Sequence, residues 1–159
     1  MKAVLQRVRR AEVRVGGETV SRIGRGVVVL LGVMKGDGPE RARGLAERIA
    51  RFRFFPDDAG RMNLSLLEVA GEVLVVSQIT LAADGRRGRR PSFDDAAEPE
   101  AARTLYARFV AALTDLGLAC ATGVFGAAME VELVNDGPVT FVLEEGPGPG
   151  SGPPSQALA

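Results

Sequence analysis

Histidine does not occur in this chain, and cysteine occurs once, as Cys120. Without imidazole, Ser-His-Asp and Cys-His catalysis are excluded, along with the ordinary zinc sites and the commonest general base. A single thiol forms no disulfide within the chain. Cys120 lies in Leu-Ala-Cys-Ala-Thr with no basic neighbour in sequence, so it reads as a buried structural thiol. Neither a secretory leader nor an apolar run long enough for a membrane helix is found, and a soluble cytoplasmic protein is the expectation. Net charge is absent too: 20 basic residues balance 20 acidic ones. Blanket affinity for DNA or RNA is therefore not expected, and only a local patch could bind nucleic acid. Chemistry is left to hydroxyls, amides, carboxylates, backbone groups or the substrate, with no metal or cofactor expected.

Lysine is scarce as well, confined to Lys2 and Lys35, so nearly every cation is an arginine. Arginine suits bidentate recognition of phosphate and carboxylate, although a chain rich in alanine and arginine also reflects coding bias. The cluster of Arg86, Arg87, Arg89 and Arg90 is the local patch, with a solvated loop as the plainer reading. With 159 residues and 46% hydrophobic content, the chain can bury one good core.

The most informative stretch runs from Val73 to Phe93. An apolar β-branched run turns polar at Ser77, Gln78 and Thr80, and the arginine loop follows between glycines and Pro91. If strand alternation continues, Gln78 and Thr80 share one face while Ser77 and Ile79 share the other.

Upstream, residues 2–9 and 11–15 read as strands, with Gly16-Gly17 turning into a strand over 18–23. The run Val27 to Val33 reads as a central strand buried on both faces. Asp37 is a plausible cap for a helix in which Ala42, Leu45, Ala46, Ile49 and Phe52 recur at helical spacing. Phe54 to Gly60 reads as a strand end and turn, and Met62, Leu64, Leu66 and Leu67 as cover for a core edge. Glu98 and Pro99 open a second helix, whose stripe of Ala102, Leu105, Tyr106, Phe109, Leu113 and Leu116 reads as core and stops at Gly117. Strands are expected over 119–124 and 128–134. Asn135-Asp136-Gly137-Pro138 then separates two strand-like segments, and its proline places it at an edge, a strand start or a protruding corner. Glycine, proline and serine dominate after Glu145, giving a domain over 1–145 and a disordered tail over 146–159.

Three segments occur together here: Ser77-Gln78-Ile79-Thr80-Leu81, Gly88 through Arg90-Pro91-Ser92-Phe93, and Asn135 through Thr140. With Gln6-Arg7-Val8, the Leu-Leu-Gly-Val of 30–33, Met62-Asn63-Leu64 and Phe125 to Met129, in this order and spacing, the chain closely resembles the D-aminoacyl-tRNA deacylases over roughly residues 1–144. The resemblance implies an α/β fold: a single domain of three layers (α/β/β), with mixed, mostly antiparallel sheets and two main helices. It also implies a homodimer that hydrolyses the ester between a D-amino acid and the terminal ribose of tRNA. That is a chiral proofreading step in translation quality control.

Carried over, the resemblance assigns Ser77, Gln78, Ile79 and Thr80 to the catalytic pocket. It assigns Gly137 and Pro138, joined by a cis peptide bond and supplied by the partner subunit, to a gate that excludes L side chains. Phe93 and Arg90 belong to a family segment and are expected on the substrate side. Arg7 is expected to hold the Gly-Pro loop through its guanidinium, with a surface arginine as the rival reading. Met129 is expected under the same loop or as plain core. Two departures stand out: Ile79 occupies a position usually held by phenylalanine, and Ala128 one where aspartate is common. A role for position 79 through its backbone makes the first tolerable.

An aminoacyl ester is already activated, so positioning and oxyanion stabilisation matter more than a strong base. Backbone amides near Ile79 and Thr80 are the expected donors. Thr80 lacks a neighbouring base to make it a nucleophile, so Thr80 and Gln78 are read as positioning groups, with the free ribose hydroxyl assisting water. Glycyl-tRNA is a further expected substrate, having no side chain to reject. The alternative is a non-catalytic RNA-binding protein on the same scaffold.

Overall fold

The computed structural model describes residues 1–86 and 88–146. Arg87 and nearly all of the expected tail lie outside the described residues.

The long first strand, β1 (Lys2–Val15), turns through Gly16-Gly17 into β2 (Glu18–Ile23), and β3 (Gly26–Gly32) follows. Next come α1 (Pro39–Arg51), the short strands β4 (Phe55–Pro56) and β5 (Met62–Leu64), and one helical turn, α2 (Leu66–Val69). After β6 (Glu72–Ser77) and a 3-10 turn over Ile79–Ala82 come α3 (Pro99–Asp115), β7 (Cys120–Thr122) and β8 (Glu130–Glu144).

The main sheet is mixed. One side of β1 pairs antiparallel with β2 and β3, and the other pairs antiparallel with β8. Among the described residues, only β3–β6 and β6–β7 are parallel. The apolar run of β3 explains its central place: Val27, Val29 and Leu31 face one core, and Val28 the other. On the first face, α1 and α3 pack side by side over Leu5, Val29, Val73 and Val75. On the second, Val8, Ala11, Val13 and Ile23 meet Val28, Leu74 and Val76, with Val131 and Leu133 of β8 beside them. The sheet therefore curls back over itself, which gives the expected helix, sheet and sheet layers.

This curl corrects one reading. The interruption near Arg9 and Arg10 does not separate two strands. It is a register irregularity within β1, after which the buried positions pass from Ala3 and Leu5 to Ala11 and Val13 on the other core. An extra residue at that point turns the strand and moves its inward side chains to the opposite face. Asn135 to Pro138 lies at an edge and forms a corner, as its proline implies: the pairing with β1 steps from Gln6–Thr140 to Val8–Asn135, which leaves the residues between outside the ladder. The proline is tolerated because β8 has β1 on one side only, so its missing N–H removes no bond from a second ladder.

Asp37 does not cap α1. The cap position is Gly38, and the buried Asp37 carboxylate accepts from the Met1 ammonium at 2.7 Å and from the Met34 amide at 2.7 Å. An ammonium within contact distance outcompetes the helix for that carboxylate. The single turn α2 was not expected either. It is closed by a reciprocal cap in which Ser65 and Glu68 each bond the other's backbone N–H.

Candidate active site

The end of β6 carries the site. The Gln78 amide donates to the Leu31 carbonyl at 2.8 Å, the last rung beside β3, and the chain then tightens into the 3-10 turn. Strand alternation therefore stops at Ser77, which corrects the division of residues 77–80 between two faces. Ile79 is 56% exposed and Thr80 is exposed beside it. Gly32 permits this turn: a Cβ there would lie 2.8 Å from the Leu81 Cβ and 3.2 Å from the Gln78 carbonyl oxygen. The first amides of a 3-10 turn have no partner inside it. Among the described residues, none accepts from the Ile79 or Thr80 N–H. The Gln78 amide nitrogen donates to Thr80 Oγ1, which leaves the threonine proton free to be donated outward.

Beside this turn lies a cavity of about 450 Å³. Ser77, Gln78 and Ile79 form one wall, Met129 and Val131 another, and Phe125 to Ala127 and the first turn of α3 the rest. Among the described residues, none that lines it carries a charge. The Met129 sulfur accepts from the Val124 amide at 3.4 Å, which anchors the wall. Tyr106 stands behind it, donating from its hydroxyl to the Val75 carbonyl at 2.7 Å, with its ring 5.8 Å from that of Phe125. Burial pushes the Tyr106 hydroxyl up to about 12. Pro99 and Ala102 line the cavity, so the α3 stripe is not wholly core. Phe125 and Ala127 belong to a segment whose resemblance was visible, but nothing in their residue types alone announces a pocket.

Gly137 and Pro138 form a second region. Their peptide bond is cis, and Gly137 has φ +146, in the range that favours glycine. A Cβ at Gly137 would stand 2.6 Å from Val139 Cγ2 and 2.9 Å from the Val139 nitrogen. Buried Arg7 ties the corner down: Nε donates to the Asp136 carbonyl at 3.0 Å, and an Nη donates to the Phe54 carbonyl at 2.6 Å. Arg9 reaches the Asp136 carboxylate at 3.2 Å, and the Val139 amide donates to Asn135 Oδ1 at 2.7 Å.

Within one chain the two regions are apart. Arg7 pairs with Val27 and so with Val73, whereas Ser77 is level with Leu31 and Ala3. The corner is thus about three strand spacings to the side of Ser77, ~14 Å, and about four residues along, ~13 Å. Met129 is eight residues from Gly137 along β8 and its approach, roughly 26 Å of extended chain. It sits in the cavity wall and not under the Gly-Pro corner of its own chain.

Phe93 and Arg90 lie on the loop between the 3-10 turn and α3, and neither lines the cavity; Phe93 is 40% exposed. In that loop, Asp84 and Ser92 exchange backbone bonds at 2.8 and 2.9 Å. Arg86 binds the Asp84 carboxylate, which lowers the pKa of Asp84 and raises that of Arg86. Burial raises the pKa of the Cys120 thiol, in line with a structural role. Among the described residues, no group of three Asp, Glu, Cys or His side chains is placed to hold a metal ion, and no helix is long and apolar enough to cross a membrane.

The family model described as D-Tyr-tRNA(Tyr) deacylase matches residues 4–144. A D-aminoacyl-tRNA deacylase of Geobacter sulfurreducens is 58% identical over 144 residues, covering 91% of this chain and 95% of the relative. One of Anaeromyxobacter dehalogenans is 57% identical, covering 91% and 97%. Among solved structures, the c-Myc DNA Unwinding Element Binding Protein superposes with a TM-score of 0.87 at 40% identity, covering 92% of this chain and 100% of that one. A probable eukaryotic D-amino acid tRNA deacylase superposes with a TM-score of 0.74 at 20% identity, covering 89% and 97%, a likeness of fold.

Proposed function

The chain belongs to the D-Tyr-tRNA(Tyr) deacylase family and is a D-aminoacyl-tRNA deacylase, a hydrolase of the aminoacyl ester, and on that premise we propose how its own residues act. The observation that carries the proposal is the pair of amides, Ile79 and Thr80, that have no acceptor among the described residues, on a turn whose Ile79 lines an uncharged cavity. Such N–H groups, fixed by the turn, suit the oxygen of a tetrahedral intermediate, where charge develops as water adds to the ester carbonyl. The terminal nucleoside occupies the cavity and brings the ester to these donors. Thr80 donates its free hydroxyl proton to the substrate and is itself oriented by Gln78. The neighbouring ribose hydroxyl assists the attacking water, since the cavity lining offers no base. Collapse of the intermediate breaks the ester, releasing the D-amino acid and free tRNA. Position 79 acts through its backbone, so isoleucine serves there. Ser77 lines the wall.

Chirality is read by Gly137 and Pro138 of a second copy of this chain. The separation of corner and cavity within one chain supports a gate supplied in trans. Rigid backbone beside the substrate α-carbon leaves room for hydrogen and clashes with an L side chain. Arg7 keeps the corner rigid. Glycyl-tRNA passes because it has nothing to reject. The homodimer and a cytoplasmic location belong to this reading. Although one relative is named for DNA binding, the balanced charge of this chain gives no reason to propose it here.

The decisive experiment measures deacylation of D- and L-aminoacyl-tRNA carrying the same amino acid, in EDTA, with wild type and Gly137→Ala. Release of only the D-amino acid by wild type, with weakened or less selective release by the variant, is expected. No release of either while tRNA still binds would return the protein to the RNA-binding alternative. Sedimentation at micromolar concentration checks the dimer, and a monomer active on D-aminoacyl-tRNA would remove the gate in trans.

A further inference from the structure

The substrate of the proposed reaction joins an aminoacylated nucleoside to the rest of the tRNA through a phosphodiester, which is an anion that must leave the cavity mouth. Among the described residues, the cavity lining contains no cation to meet it. On α3, positions 99, 102, 103 and 106 share one face. Pro99 and Ala102 line the cavity, and Tyr106 backs Phe125. Arg103 completes that face, with its guanidinium carbon 4.8 Å from the centre of the Phe125 ring. A lining residue thus carries an arginine on its outer side, and the side chain is 58% exposed.

The guanidinium is weakly engaged. Its ion-pair neighbour among the described residues is Glu100, at 3.9 Å and 91% exposed, well beyond the 2.7–2.9 Å of a charge-assisted hydrogen bond. By contrast, Arg86 is committed to Asp84 at 2.9 and 3.0 Å, and buried Arg7 to the Phe54 and Asp136 carbonyls. Stacking on Phe125 removes part of the rotational freedom that a solvated arginine would lose on binding. Planar donors held at the mouth of an apolar cavity suit a phosphodiester.

We propose that Arg103 is a substrate-positioning residue that binds the phosphodiester on the 5′ side of the terminal adenosine and so sets how the aminoacyl end enters the cavity. This rests on the deacylase reading above. Glu100 competes with the phosphate for the same guanidinium, so Glu100→Gln should tighten substrate binding slightly.

The test compares three substrates carrying one D-amino acid on the ribose: the full tRNA, adenosine 5′-monophosphate and adenosine. Arg103→Met keeps an unbranched chain over Phe125 and removes the charge. For tRNA and the nucleotide, kcat/KM should fall about tenfold, through KM, while the nucleoside is unaffected. Arg103→Lys should recover part of the loss, and the salt slope of tRNA binding should shrink by about one in Arg103→Met. Equal losses on nucleoside and nucleotide would show that Arg103 acts by packing on Phe125, and no loss on any substrate would show that it does not act; either result overturns the proposal. Wild-type protein that turns over none of the three would instead remove the deacylase reading, and this inference with it.

Discussion

The cavity at the end of β6 and the Gly137–Pro138 corner of β8 are built in opposite ways. The cavity is assembled from the last rung of a central parallel strand, a 3-10 turn, a helix start and the Phe125–Met129 segment, all uncharged. Its polar capacity lies in backbone amides that the turn leaves unpaired. The corner belongs to an edge strand, and a buried arginine from β1 holds it to the Phe54 carbonyl. A preformed apolar hollow should tolerate changes of side chain, Ile79 among them. A backbone corner with φ +146 and a Cβ clash at 2.6 Å does not.

The largest effect to break this contrast should come from Gly137→Ala. Strain at positive φ, with Val139 in contact, should destabilise the fold by about 1–3 kcal/mol in urea titration. Displacement of the corner by even about 1 Å should lower D-aminoacyl-tRNA turnover ~100-fold. An unchanged rate would mean that the corner is structural only. Next, Arg7→Met leaves the Phe54 and Asp136 carbonyls without their donor. It should cost about 2–4 kcal/mol of stability, and a melting curve like that of wild type would refute the clamp.

On the turn beside the cavity, Thr80→Ala should keep measurable turnover and lose about tenfold in kcat/KM, the scale of one hydrogen bond. Complete loss with intact tRNA binding would instead make the hydroxyl a chemical participant. The smallest effect is expected behind the wall. Tyr106→Phe gives up one bond to the Val75 carbonyl, which still accepts from Gly123 at 3.0 Å, so about 1 kcal/mol is expected. Because the folded Tyr106 titrates up at about 12, above an ordinary tyrosine near 10, the fold favours its neutral form. Its contribution is complete below about pH 10 and is lost as pH rises toward 12. Stability of the variant should therefore fall less steeply than that of wild type across this window.

Elements whose pattern is local were legible in sequence. The β3 run, the α1 and α3 stripes and the Gly16-Gly17 hairpin each satisfy one period over several residues, and each forms where expected. Failures arose where a distant group intervened. Asp37 has the composition of a cap, but the Met1 ammonium takes its carboxylate. Ser77 to Thr80 have strand composition, but the chain turns where Gly32 makes room for Leu81. The Ser65–Glu68 cap carries a local signal, a serine three residues before a glutamate, within a segment whose leucines read as cover for a core edge. The site residues were named through family resemblance, while Pro99 and Ala102 could not be, since small apolar residues on a helix face look the same over a core and over a cavity.

By itself the sequence determined the chemistry left available: no imidazole, a single thiol, balanced charge, and motifs in an order that one family shares. Apolar periodicity, an intrinsic property of a segment, marked individual strands and helices, while the three-layer α/β class followed from the family resemblance that those motifs carry. Only the tertiary structure decided which amides stay unpaired, which arginine is buried beneath the corner and which lies over Phe125. Those outcomes depend on contacts between residues far apart in the chain, such as Arg7 with Asp136 and Gln78 with Leu31. No local pattern encodes the register that brings them together.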